Sequence, residues 1–312
     1  MHWKYYWVVF ALFFCQSLVA QTREVCFTVD DLPTVPYGIE DPDYQRDITE
    51  RLLAAFDRYR IPAIGFVNES KLYRKGTLDS TRMHLLALWL QHGYELGNHT
   101  FSHLSYHQAS LAQYGQDILK GELVTRPLAE KYGQPLKYFR HPYLRIGRTR
   151  AHHDSLQLFL AQHHYQEAPV TIDNEDYVFA KAYHNARVQQ DSLTMQRIGQ
   201  AYIRYQEAKI NYYEQASEHL EDRNVKHILL LHANRLNADY MEDLAEMYQQ
   251  RQYTFISLEE ALTDEAYQQE ITRYGDWGIS WIERWALSRG NADFLRDDPP
   301  TPDYIVKLSG LE

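Results

Sequence analysis

Two histidines four residues apart, His99 and His103, follow the short apolar segment 94–97. On one face of a helical turn that spacing lets two imidazoles reach one metal ion. The chain has 15 histidines, so a pair at this spacing arises easily by chance. Its weight therefore rests on partners elsewhere. Asp30 and Asp31 close the apolar run 25–29. Two adjacent carboxylates at the end of a predicted strand are costly unless a cation or a proton holds them together. A solvated turn before Pro33 is the ordinary alternative, but the apolar strand leading into the pair favours a site.

Asp31, His99 and His103 supply three ligands and leave open positions, the pattern of a catalytic metal site. A metal there polarises a carbonyl and lowers the pKa of a water. Asp30 is the candidate general base, with Arg140 as the charge partner that keeps it ionised. His232 is the candidate general acid, with Asp173 or Asp176 orienting it and raising its pKa. This set describes hydrolysis of an acyl–nitrogen or acyl–oxygen bond. A nucleophile elbow is missing, so a covalent serine mechanism is not indicated.

The elements that must position these residues alternate. Strands are predicted at 25–29, 61–67, 94–97, 137–139, 168–172, 226–231 and 254–256. Helices are predicted at 44–60, where Ile48, Leu52, Leu53 and Phe56 share a face, at 83–92 behind an Asp79 cap, and at 111–132, 149–165, 239–251 and 258–269. Such alternation implies a parallel sheet covered by helices, or a barrel, with function at the C-terminal ends of the strands. The polar runs Asp30-Asp31, His99/His103, 140–143, Asp173/Asp176 and His232 all stand at such ends. Five coincidences are less economical than one site. The tract 186–222 reads as one or two outer helices, interrupted at Gly199. Trp277, Trp281 and Trp285 recur at helical spacing, and packing is a better account of them than a sugar platform.

A length of 312 residues allows one large or two small domains. The net charge is −10, and −11 once residues 1–20 are removed with Lys4. That balance disfavours nucleic acid as a partner. Residues 1–20 read as a secretory signal peptide, with an apolar run at 7–14 and a cleavage site before Gln21. The mature protein is expected to be secreted or periplasmic and without a transmembrane span. Phe14 argues against lipid anchoring at Cys15. Cys26, then the sole cysteine, is expected to be a small buried hydrophobe.

These residues, taken in order, resemble the polysaccharide deacetylases, carbohydrate esterase family 4, which share the nodulation-type deacetylase homology domain. Val29-Asp30-Asp31-Leu32-Pro33 is similar to the first motif, T-F-D-D-G-P. His99-Thr100-Phe101-Ser102-His103 matches H-[ST]-x-x-H, and Arg140-His141-Pro142-Tyr143 matches R-x-P-[YFW]. Asp173-Asn174-Glu175-Asp176-Tyr177 resembles D-x-x-D-W, and Leu230-Leu231-His232 matches L-x-H. The resemblance implies an α/β fold, a distorted (β/α) barrel, and a divalent metal, zinc foremost, on Asp31, His99 and His103. It implies Asp30 as base and His232 as acid. It further implies that the backbone N–H of Tyr143 holds the oxyanion and that Leu230 lines the acetyl pocket.

The implied substrate is an acetylated polysaccharide or oligosaccharide, with removal of acetyl from an N-acetylated glycan as the activity. An O-acetyl esterase, a small-amide amidohydrolase and a non-catalytic glycan-binding module remain as alternatives. The expected organisation is a catalytic domain over 21–270, with a helical insertion at about 186–222, and a Trp/Pro-rich extension over 271–312. Leu32 and Val29 depart from the first motif and are expected to reshape the pocket floor. Tyr177 stands where Trp is usual. Histidines 152, 153, 163 and 164 read as surface residues. Asn98 and Asn68 fit the glycosylation pattern, and a glycan on Asn98 would block the site.

Overall fold

A computed structural model describes residues 22–311. The segment expected to be a signal peptide, with Cys15, lies outside them. The central strand, β1 (Arg23–Val35), is longer than its apolar run. It continues through Asp30-Asp31 instead of ending there. Its pairing with each neighbour shifts register across this stretch, and Asp31 takes a left-handed conformation, φ 70°. The bulge keeps the strand intact and re-aims the side chains around it.

Six more strands join β1 in one parallel sheet: β2 (Ile64–Val67), β5 (Glu95–Asn98), β6 (Tyr138–Phe139), β7 (Gln166–Glu167), β8 (His227–Asn234) and β9 (Tyr253–Phe255). The order is β7-β6-β5-β2-β1-β8, with β9 also on β1. Strands β3 (Tyr73–Arg74) and β4 (Thr77–Leu78) form a separate small hairpin. The sheet curls into a distorted barrel. Strand β7 pairs at Gln166–Glu167, just before the run expected as a strand at 168–172, which instead crosses the remaining gap to β8. Ala168 N–H donates to Phe139 O at 2.7 Å, and Leu230 N–H donates to Ile172 O at 3.1 Å.

Helices α1 (Pro42–Tyr59), α2 (Ser80–Gln91), α3 (Leu111–Lys120), α4 (Thr125–Lys131) and α5 (Arg150–Gln162) lie along the first half of the chain. Helix α1 buries the predicted face, Ile48, Leu52, Leu53 and Phe56, and Asp79 caps α2 by accepting from Thr81 and Arg82 N–H. The helix expected over 111–132 breaks into α3 and α4 at Gly121. Helix α6 (Asp176–Val188) starts within the run 173–177, and α7 (Ser192–Glu221) occupies most of the tract 186–222. Helix α7 is continuous through Gly199, where the Tyr240 ring packs in the space a side chain would occupy.

Helix α8 (Arg235–Gln250) follows β8, and α9 (Leu258–Ala261) ends after one turn instead of reaching residue 269. In the tail, α10 (Trp281–Arg289) buries Trp281 and Trp285 but begins after Trp277, which stays 39% exposed. Helix α11 (Asp303–Ser309) packs on α6, with Ile305 fully buried. Among the described residues no helix is long and apolar enough to cross a membrane. Cys26 is buried.

Leu32 and Val29 do not reach the pocket floor. Both belong to the main core, and the Leu32 side chain fills the space over Gly65, where an added Cβ would lie 2.1 Å from Leu32 Cδ1. Gly65→Ala is therefore expected to overpack this contact and cost roughly 1–3 kcal/mol. Urea unfolding reads the loss, and Leu32→Ala in the same chain should recover part of it.

Candidate metal centre and active site

The barrel brings the five polar runs to one end. Asp31, His99 and His103 offer ligand atoms that all lie within 4.8 Å of one another. His99 Nε2 and His103 Nε2 stand 3.8 and 3.7 Å from Asp31 Oδ1. These gaps are too long for hydrogen bonds and suit three bonds of about 2 Å to a central cation. Asp31 Oδ1 is buried and has no hydrogen-bond partner among the described residues. A buried carboxylate oxygen facing two imidazole nitrogens without a proton between them is a group awaiting a cation. The donor set therefore fits a divalent metal.

The two histidines do not sit on a helical turn. Residues 99–105 form a loop, with Thr100 at φ 64° and His103 at φ 56°. Local hydrogen bonds hold these unfavourable conformations. Asn98 Oδ1 accepts from Thr100 N–H at 2.7 Å, Asn68 Nδ2 donates to His99 O at 2.6 Å, and Asp117 accepts from Ser102 N–H and Oγ–H. His99 Nδ1–H donates to Arg140 O at 2.8 Å, which leaves Nε2 to face Asp31. Burial pushes both imidazoles below their ordinary value, so they are neutral and able to ligate. Burial opposes ionisation of Asp31, but Lys71 Nζ, 3.3 Å from Oδ2, and the charged His232 outweigh it and hold the carboxylate well below its usual range.

The loop also removes the expected glycan sites. Asn98 is buried and its amide nitrogen donates to Ile118 O and Tyr165 Oη, while Asn68 is equally buried.

Asp30 and His232 are cross-strand partners in β1 and β8. Asp30 is buried against Arg140, whose Nη1 lies 3.5 Å from both carboxylate oxygens. The guanidinium is anchored by Ala168 O and Thr28 Oγ1 and lies over the Phe66 ring. Burial pushes the Asp30 carboxyl up to about 6, against the pull of Arg140. His232 Nδ1–H donates to Asp176 Oδ1 at 2.6 Å, and its backbone N–H donates to Oδ2 at 2.9 Å. Burial opposes charge on the ring, but Asp176 outweighs it and raises the pKa to about 9.

Of the two acids considered for orienting His232, Asp176 makes the contact. Asp173 lines the cavity, and burial pushes its carboxyl up to about 6. Tyr143 has φ 59°, its N–H finds no acceptor among the described residues, and its ring packs edge-on to His103 at 4.5 Å. Leu230 forms an apolar patch with Leu144 and Val170 beside it.

Residues beyond the five runs' catalytic candidates also set this geometry. Lys71 neutralises Asp31, and Asn237 and Asn234 hold Asp176 through their amides at 2.6 and 3.3 Å. Asn174 Nδ2 donates to Leu230 O. The spacing of Asn234 and Asn237, two and five residues after His232, was a usable signal. Lys71 offered none, because it reaches Asp31 only through the fold. Histidines 152, 153, 163 and 164 stay away from the cavity as expected, although His152 stacks on Tyr106 instead of standing free.

The curled parallel sheet with five polar strand ends around one cavity defines a distorted (β/α) barrel with a metal-ready centre. Residues 19–158 match the family model described as polysaccharide deacetylase. The match ends before residues 173–177 and 230–232, which the fold returns to the same cavity. No curated protein matches the chain.

Solved structures do. A peptidoglycan N-acetylglucosamine deacetylase bound to a naphthyl N-hydroxybenzamide superposes with a TM-score of 0.50 at 16% identity, over 81% of this chain and 91% of that one. A family 4 carbohydrate esterase from Streptomyces lividans with acetate gives 0.46 at 19% identity, over 78% and 97%. A carbohydrate esterase family 4 pseudoenzyme from Bacillus anthracis gives 0.47 at 12%, over 77% and 66%.

Proposed function

We propose that this protein is a metal-dependent hydrolase that removes acetyl groups from an N-acetylated glycan. One observation carries the reading. The partnerless Asp31 Oδ1 faces His99 and His103, and Asp30 and His232 flank that point as neighbours across β1 and β8. A divalent cation such as zinc, held by Asp31, His99 and His103, would supply Lewis-acid polarisation of the acetyl carbonyl and of a water.

The chain's own groups do the rest. Asp30 takes the proton from the attacking water as its oxygen bonds to the acetyl carbon. The Tyr143 N–H donates to the oxyanion that forms. His232, protonated through its pairing with Asp176, gives its proton to the leaving nitrogen as the C–N bond breaks, and acetate and a free amine result. Leu230 and Leu144, backed by buried Val170, offer the acetyl methyl an apolar seat. The signal-like segment 1–20 supports action outside the cytosol, where such glycans are met.

Acetate release from N-acetylglucosamine oligomers, with acetyl esters and small acetamides in the same panel, tests the reading. Chelation is expected to abolish release and zinc to restore it. A readout free of catalysis is thermal: at a hundredfold excess over its Kd the metal should add roughly 3 kcal/mol of stability. His103→Ala should lose that increment. Activity indifferent to chelation sinks the reading.

A further inference from the structure

A backbone N–H serves an oxyanion only while its peptide keeps one orientation. At Tyr143 that orientation rests on unfavourable backbone. Tyr143 and the next residue, Leu144, are both left-handed, at φ 59° and 52°. Two such residues in succession, neither of them glycine, persist only where the surroundings hold them. The turn's own bonds are few: Leu144 N–H donates to His141 O at 3.1 Å and Arg145 N–H to Pro142 O at 3.3 Å. On the side-chain face the Tyr143 ring meets His103, and the Arg145 guanidinium lies over it at 5.3 Å.

The two carbonyls of the turn are held by the tail. Gly278 packs on the Tyr143 carbonyl so closely that an added Cβ would lie 1.7 Å from the oxygen. Arg284 of α10 donates from Nη2 to Leu144 O at 2.6 Å. That guanidinium is 1% exposed and lies over the Trp281 ring, and its Nε has no partner among the described residues. A buried charge without a counter-charge is costly, and the hydrogen bond this one makes goes to the turn. Helix α10 is in turn fixed to the barrel. Ser280 and Glu283 close its first turn with a capping box, Trp281 N–H donates to Val170 O at 2.7 Å, and Trp281 and Trp285 are buried. All of these tail residues lie beyond the stretch 19–158 that matches the family model.

We infer that Gly278 and Arg284 are positioning residues of the active site: they hold Tyr143 and Leu144 left-handed, and so keep the Tyr143 N–H aimed where the oxyanion forms. The inference rests on the deacetylase reading and gives the tail a part in it. A return of Tyr143 to negative φ would swing its N–H relative to its carbonyl. With Tyr143 O seated on Gly278 and Leu144 O held by Arg284, the turn does not relax while α10 stays docked. The same clamp keeps Leu144 at the apolar seat for the acetyl methyl.

Gly278→Ala puts a methyl against the Tyr143 carbonyl, and Arg284→Met removes the donor to Leu144 O while keeping a long side chain. Steady-state kinetics on N-acetylglucosamine oligomers, with the thermal increment from zinc measured beside them, tests the role. The oxyanion exists only on the way through the transition state, so its donor acts on kcat and not on ground-state binding. Each variant is expected to lower kcat by about 10- to 50-fold, part of what a whole oxyanion donor contributes. KM should stay within about twofold, and the zinc increment should persist. Arg284→Lys, which keeps a donor, should recover most of the lost kcat. A packing defect would lower stability in both Arg284 variants without restoring kcat in either. Gly278→Ala, at a half-buried position, carries the test where Arg284→Met does not fold.

An unchanged kcat in Gly278→Ala, or a loss carried by KM, overturns the role of the tail and leaves the deacetylase reading standing. Oligomers that release no acetate with the wild-type protein overturn both.

Discussion

Asp30→Asn is expected to lower kcat by about 10²- to 10⁴-fold, the usual contribution of a positioned general base. Asn keeps the size and one acceptor, so Arg140 retains a polar neighbour along with its bonds to Ala168 O and Thr28 Oγ1. The metal ligands are untouched. Zinc binding, followed by the thermal increment, should therefore persist while acetate release collapses. That separation distinguishes a base from a ligand, because His99→Ala should lose both. Asp30 lies 3.8 Å from His99 Nε2, close enough that a ligand role is the competing assignment. An Asp30→Asn protein that no longer gains stability from zinc makes Asp30 a ligand and removes the base from the mechanism.

The parts of this site that were legible in the sequence are those whose chemistry is local. Asp30-Asp31, His99/His103 and His232 are chemically costly residues at the ends of apolar runs, and such residues must be accounted for wherever they fall. The devices that make them converge were not legible, because they are long-range. The sequence pattern has β1 ending at Asp30, yet the strand passes through a bulge, since β8 continues to pair with it as far as Val35. The helical spacing of His99 and His103 is real, but the loop that realises it is shaped by Asn68 and Asp117, 31 and 15 residues distant from the groups they bind.

Helix periodicity was a good guide where one face meets the core, as in α1. It failed where packing, not propensity, decides. Gly199 reads as a break yet receives Tyr240, and 111–132 reads as one helix yet divides at Gly121. The tail gives the clearest case. Its tryptophans signal burial, which Trp281 and Trp285 satisfy, but nothing in their spacing tells that Gly278 and Leu311 border the cavity. The bonds of Trp281 and Arg284 to Val170 O and Leu144 O place Gly278 there, and the anchoring of 298–309 on α6 and α7 places Leu311.

Asp176→Asn should reshape the pH dependence as well as the rate. His232 acts as an acid and must carry its proton. In the native site its pKa, held at about 9 by Asp176, keeps it charged through neutral pH. Activity is then expected to fall as pH rises through 9. With Asn at position 176 that carboxylate's attraction is gone and burial, which favours the neutral form, is opposed only by the weaker pull of Asp31 and Asp30. The alkaline limb moves to lower pH, and at pH 8 the loss is about 10²-fold.

Stability gives an independent reading of the same pair. A histidine whose folded pKa lies above its unfolded value of 6.5 stabilises the fold fully below 6.5 and ceases to as pH rises through 9. Wild type should therefore lose thermal stability between about pH 6.5 and 9, and Asp176→Asn should show a flatter profile in that window. Asn234 and Asn237, which also bind Asp176, keep their amides beside the substituted side chain, so the local backbone has partners in both proteins. An alkaline limb that stays near 9 in Asp176→Asn would assign it to another group and leave His232 without its role as acid.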